Sequence, residues 1–263
     1  MRGRGAGAWC SVLGSVLLAG IAQGHDIWMT PESGSEGVQF VIHHGHPGDR
    51  KPPDPDKLVE LRVIEPDGRD VKVPPAAAPG MLDGFPVLLP APIQTKGRTG
   101  TWLFAARYDN GYWVKTESGH RNTSKLEVPG ASESLHSMKF AKALVSVEKP
   151  TSMAHARVLG HRLELVPLDD PFSLKPGDKL RVLVLFAGKP LAHASVEIGD
   201  GVTPMKEADI PRYQTNDEGV AEVPIRKSGL QLVVVDHTVP FPHPDLADRE
   251  LLAATLSFVL LPQ

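Results

Sequence analysis

The chain has 263 residues, one cysteine (Cys10), and 28 Lys and Arg against 31 Asp and Glu, a formal charge of −3 with histidine neutral. That balance excludes the concentrated basic surface that nucleic-acid binding needs, and a single thiol excludes a disulfide framework within one chain. With 25 Gly, 25 Pro and short apolar runs spaced by turns, the composition predicts an all-β protein held by its hydrophobic core.

Residues 1–24 read as a secretory signal. Arg2 and Arg4 form a basic n-region, Ala8–Ala22 an apolar run, and Ala22 and Gly24 the small residues a signal peptidase requires. The run is too short for a comfortable span, so cleavage is expected and no membrane span remains. The mature protein would be exported, periplasmic or secreted, would carry a net charge of about −5, and would begin at His25. A terminal histidine offers a ring nitrogen and an α-amine with an ordinary pKa of about 7.7–8.0. Together they suit Ni, Co, Cu or Zn.

Strand alternation over Val38–His44 places Phe40, Ile42 and His44 on one face, with Val41 and His43 on the other. His43, His44 and His46 form the densest imidazole cluster in the chain. Leu58–Ile64 predicts a strand closed by the turn Glu65-Pro66-Asp67-Gly68. Val73–Pro92 is proline-rich and predicts loop or edge structure. Gly97–Tyr108 alternates with Trp102, Phe104, Ala106 and Tyr108 on one side. Ser134–Val147 is the best helix candidate, with its last residues strand-like. The reading divides the mature chain into a β-rich unit at 25–150, a linker at 151–161 and a second unit at 162–263. In that unit Leu163–Pro167, Leu180–Phe186, Val220–Ile225, Leu230–Val239 and Leu251–Leu261 predict strands. Two β-sandwiches of immunoglobulin-like or transthyretin-like kind are expected.

Several stretches resemble a family of exported bacterial proteins described as the periplasmic component of cobalt/nickel uptake systems. They are His25-Asp26-Ile27-Trp28-Met29, Gly45-His46-Pro47, Tyr112–Thr116, Phe140–Ala143 and His161–Pro167. Gly177–Leu191 with Thr215-Asn216-Asp217-Glu218-Gly219 is also similar to transthyretin-like and carboxypeptidase-regulatory sandwiches. The resemblance implies periplasmic residence, a divalent transition metal, and a membrane importer as partner.

The metal-ligand candidates are His25, His44, His46, His136 and His237, with Asp26 and Asp236 as orienters of a ligating imidazole. Alternation puts His237 on the face of Val233 and Val235. No Gly-x-Ser-x-Gly elbow, His-Glu-x-x-His helix or cysteine nucleophile is present, so a non-enzymatic metal-binding accessory protein is expected. The alternatives are a sandwich scaffold with incidental histidines and a copper oxidase built on a terminal histidine.

Overall fold

The computed structural model describes residues 25–34, 37–148 and 153–262; the expected signal and the first residues of the expected linker lie outside them. In chain order the strands of the first half are β1 (Asp26–Gly34), β2 (Gly37–His46), β3 (Asp49–Arg50), β4 (Leu58–Ile64), β5 (Asp70–Val73), β6 (Ala77–Leu82), β7 (Phe85–Pro90), β8 (Gly100–Thr116), β9 (Gly119–Arg121) and β10 (Glu133–Val147). Those of the second are β11 (Leu163–Pro167), β12 (Lys179–Phe186), β13 (Lys189–Pro190), β14 (Ser195–Gly199), β15 (Arg212–Gln214), β16 (Val220–Pro224), β17 (Gly229–Pro240) and β18 (Arg249–Leu260).

The strands form three sheets. A central nine-stranded sheet runs β15-β14-β17-β18-β10-β8-β4-β5, with β9 paired to β8. It takes strands from both halves, and the parallel pair β10–β18, from Leu135 opposite Arg249 to Leu144 opposite Phe258, joins them. A five-stranded sheet (β1-β2-β7-β6, with β3) covers one face, and a four-stranded sheet (β11-β12-β13, with β16) serves the other half. The all-β fold is as the composition predicts, and the two sandwiches share their middle sheet.

Alternation along the central strands sorts side chains between two cores. Trp102, Phe104, Tyr108, Ala141 and Ala143 meet Ile27, Met29, Phe40 and Ile42. Leu103, Phe140, Leu144, Leu252 and Phe258 meet Leu163, Leu165, Val182 and Val184.

One segment departs from expectation outright and another only in part. Ser134–Val147 is a strand throughout, because it is buried on both faces and its apolar residues therefore lack the alternation of a half-exposed strand. Val73–Pro92, expected as loop or edge structure, does supply the proline-bearing edge strand β6, while its hairpin partner β7 lies inside the sheet between β2 and β6.

Each face also buries charge. Lys142, with 2 % of its side chain exposed, meets the Glu164 carboxylate at 2.5 Å. Glu164 also accepts hydrogen bonds from the backbone N–H groups of Leu159, Gly160 and His161. The carboxylate therefore fixes the chain's entry into β11. Glu164→Leu should cost about 3–5 kcal/mol in denaturant unfolding, because it strands a buried ammonium. Adding Lys142→Met should recover only part of that loss, since the three N–H groups stay without their acceptor.

His136 sits between Asp109, 3.0 Å from its Nε2, and Glu250, 3.5 Å from its Nδ1. Burial pulls its pKa down, but the Asp109 hydrogen bond and the two carboxylate charges outweigh that and hold it above the ordinary value. The group is thus raised in the folded state, so its stabilisation is complete below the unfolded pKa of about 6.5 and fades as pH rises through the folded value. His136→Asn should lower Tm clearly at pH 5.5 and much less at pH 8.5, as thermal melts at the two values would read.

Candidate metal centre

The β1–β2 hairpin assembles the centre. Its register sets Asp26 opposite Gly45, Ile27 opposite His44 and Trp28 opposite His43. At the open end of this pair the His25 ring lies edge-on to His44, with centroids 5.5 Å apart, and to His46, at 5.3 Å. A metal–nitrogen bond of about 2.0–2.1 Å puts the centroids of two imidazoles on one ion about 5 Å apart. The ring spacing therefore suits a shared ion. Among the described residues no group of three or more His, Cys, Asp or Glu side chains is placed to hold a metal ion as it stands; the donor nitrogens would have to turn toward one point.

Gly45 separates His44 from His46, and its backbone has φ +117°. A Cβ there would stand 2.4 Å from the Asp49 carbonyl oxygen, so only glycine permits β2 to turn so tightly into β3. The turn is backed by Arg50, whose guanidinium donates to the Gly201 carbonyl at 3.1 Å. His43, on the opposite face of β2, is used structurally. It stacks on Trp28 at 5.1 Å and bonds Thr30 at 2.8 Å.

Below the histidines, a cross-strand row of the central sheet supplies polar groups. Asp236 on β17 pairs with Ala253 on β18, Ala253 with Lys139 on β10, and Lys139 with Tyr108 on β8. Residues opposite one another share a face, and in this row it is the face covered by β1 and β2. Tyr108 lies beside His44, with ring centroids 5.6 Å apart.

The hydrogen-bond accounting is unusual. Lys139 is 1 % exposed and its Nζ makes no hydrogen bond. Oδ1 of Asp26, Oδ1 of Asp236 and both ring nitrogens of His44 are buried and unmatched as well. Buried polar atoms are nearly always satisfied, and here five orphans gather around one group of side chains.

The charges are coupled accordingly. Burial, offset in part by Lys139, raises the Asp26 carboxyl to about 6. Burial and the Asp26 charge push Asp236 well above the carboxylate range. Burial, then Lys139 and His25, lower His44 to about 3. Burial and His46 lower His25. The rings of His25 and His44 are thus held neutral, the form in which imidazole binds metal.

The structure brings together three of the five expected ligands. His136 is opposite Glu250, and His237 opposite Leu252. Both therefore project from the far face of the sheet, His136 to Asp109 and Glu250 and His237 to the Phe186 ring at 4.7 Å. Strand parity excludes them from a centre on the near face. His237 does share a side with Val233 and Val235 as alternation predicts, and that side belongs to the other core. Lys139 had no place in the sequence reading; a lysine inside an apolar strand was the available signal.

A cleft lined by Asp26, Trp28, His46, Pro47, Glu197 and Met205 lies alongside, beneath the 200–205 loop. Among the described residues no helix is long and apolar enough to cross a membrane. No curated protein matches the chain. A family model described as a domain of unknown function, DUF4198, matches residues 22–239, and the chain belongs to that family.

Proposed function

We propose that the mature protein, starting at His25, binds one divalent transition metal, nickel, cobalt or copper, outside the cytoplasm and passes it to a membrane importer. The observation that carries this reading is the meeting of His25, His44 and His46 at the open end of β1–β2 above a patch of unsatisfied buried polar atoms. Imidazole and amine nitrogens favour these late transition ions over Mg or Ca. In the uncleaved chain the His25 nitrogen is an amide and a poor ligand. Cleavage would convert it to an amine and complete a chelate with its own ring. Asp26 supplies negative charge close by, Asp236 is held toward its neutral, hydrogen-bonding form, and Lys139 opposes over-binding, which suits a carrier that has to release its ion. The importer as acceptor comes from the resemblance of His25–Met29 and the later motifs to cobalt/nickel uptake proteins.

The test is calorimetric titration of the secreted, N-terminally sequenced protein with Ni, Co and Cu, beside a form carrying one extra residue before His25. The mature form should bind one ion with micromolar or tighter affinity, and the extended form should lose at least tenfold, about 1.4 kcal/mol. Equal, weak binding by both would overturn the reading in favour of a sandwich scaffold. His44→Ala and His46→Ala should each weaken binding about tenfold or more, whereas His237→Ala should leave it unchanged. Affinity should fall by about tenfold for each pH unit below the range of the amine, about 7.7–8.0, because the proton must leave before the metal binds.

A further inference from the structure

The face that carries the metal centre also holds a cavity toward the other end of the sandwich. It encloses about 350 Å³ between the five-stranded sheet and the β4–β8 part of the central one. Met29 and Phe40 line it from one sheet, Leu61 and Val63 from the other, and Val73 and Ile93 flank it. Close-packed interiors leave few voids larger than a water molecule, so a space of this size is a structural feature that calls for an occupant.

We propose that this cavity binds a neutral hydrocarbon group. The lining contains one charged residue, Arg62, and its guanidinium is already committed. It donates to Asp70 through Nε at 3.2 Å and through Nη2, and to the Leu159 carbonyl through Nη1 at 2.9 Å. No uncommitted charged side chain lines the cavity to hold an anionic headgroup inside, so the complementary ligand is uncharged. Water is disfavoured for the same reason, since it needs two to four polar partners. An apolar cavity of about 150 Å³ takes one benzene, so this one takes a two-ring aromatic or an alkyl chain of about a dozen carbons. Its volume lies in the range of small-molecule sites, about 300–1,000 Å³. Pro74, Ala76 and Ala91 are exposed members of the lining, and the entrance lies between the β5–β6 connection and the segment after β7. A free hydrophobic molecule or the acyl chain of a lipid meets this chemistry equally.

The experiment is fluorescence titration of the mature protein with the neutral apolar dye N-phenyl-1-naphthylamine. Saturable binding of one dye is expected, with dodecanol as competitor. Val73→Phe and Ala91→Phe, which fill the cavity from its mouth, should each weaken the dye about tenfold or more without lowering Tm. Val73→Ala, which enlarges the space, should retain the dye. His44→Ala should have no effect, which separates this site from the metal reading. Co-sedimentation with phosphatidylcholine vesicles, abolished by the Phe variants, would mark the ligand as a lipid chain; dodecanol competition without vesicle binding would mark a free molecule. Absence of dye binding, or equal binding by folded Phe variants, would overturn the proposal.

Discussion

Everything in this molecule turns on the central sheet being covered on both faces. On such a sheet, a shift of one residue moves a side chain from one core to the other. Along β10, Lys139 faces the histidines while His136 and Lys142 face the opposite layer. Along β17, neighbouring Asp236 and His237 part in the same way. Two polar systems are thereby kept apart by one sheet, although their residues are neighbours in sequence.

The two systems are satisfied to different degrees. On the far side, Glu164 receives Lys142 and three backbone N–H groups, and His136 bonds Asp109 through Nε2 with the Glu250 charge 3.5 Å from its unmatched Nδ1. That is how a folded protein normally keeps buried charge. On the near side, Lys139, Asp26, Asp236 and His44 all retain unmatched buried atoms. Burying ionisable groups this way is a poor route to stability, since desolvation is seldom repaid even by a good ion pair. Single unmatched ring nitrogens occur on the far side too, at His136 and His161. On the near side, however, a lysine, two carboxylates and an imidazole with unmatched atoms converge beside His25 and His46, and that convergence is the ground for reading it as a binding site.

Much of the scaffold was legible. Leu58–Ile64 is β4 residue for residue, and alternation oriented Phe40, Ile42 and His44 correctly. Those strands carry period-two patterns bounded by turn residues. Ser134–Val147 was opaque because a strand buried on both sides has no polar face to set its period. The cleavage pattern and the histidine-rich end of β2 pointed to His25, His44 and His46. His136 and His237 could not be sorted the same way, because their positions depend on pairing register between strands far apart in sequence. Lys139 was hidden for the same reason. Its meaning arises only when β10 is set beside β18 and Asp236 follows across the ladder.

The position of His25 depends on the other end of the chain. β1 is an edge strand, so its outward carbonyls need partners. Thr255 donates to the Ile27 carbonyl at 2.8 Å and Ser257 to that of Met29, both from β18. After the charged start at Arg249 and Glu250, these two hydroxyls are the polar residues of the strand, and they point to the near face. The family match ends at residue 239, before β18 begins at Arg249. Yet β18 stands between β17 and β10, carries both hydroxyls, and links Asp236 to Lys139 through Ala253. The structural unit that positions His25 therefore extends past the matched region, and the candidate centre joins the start of the described fold to its last strand.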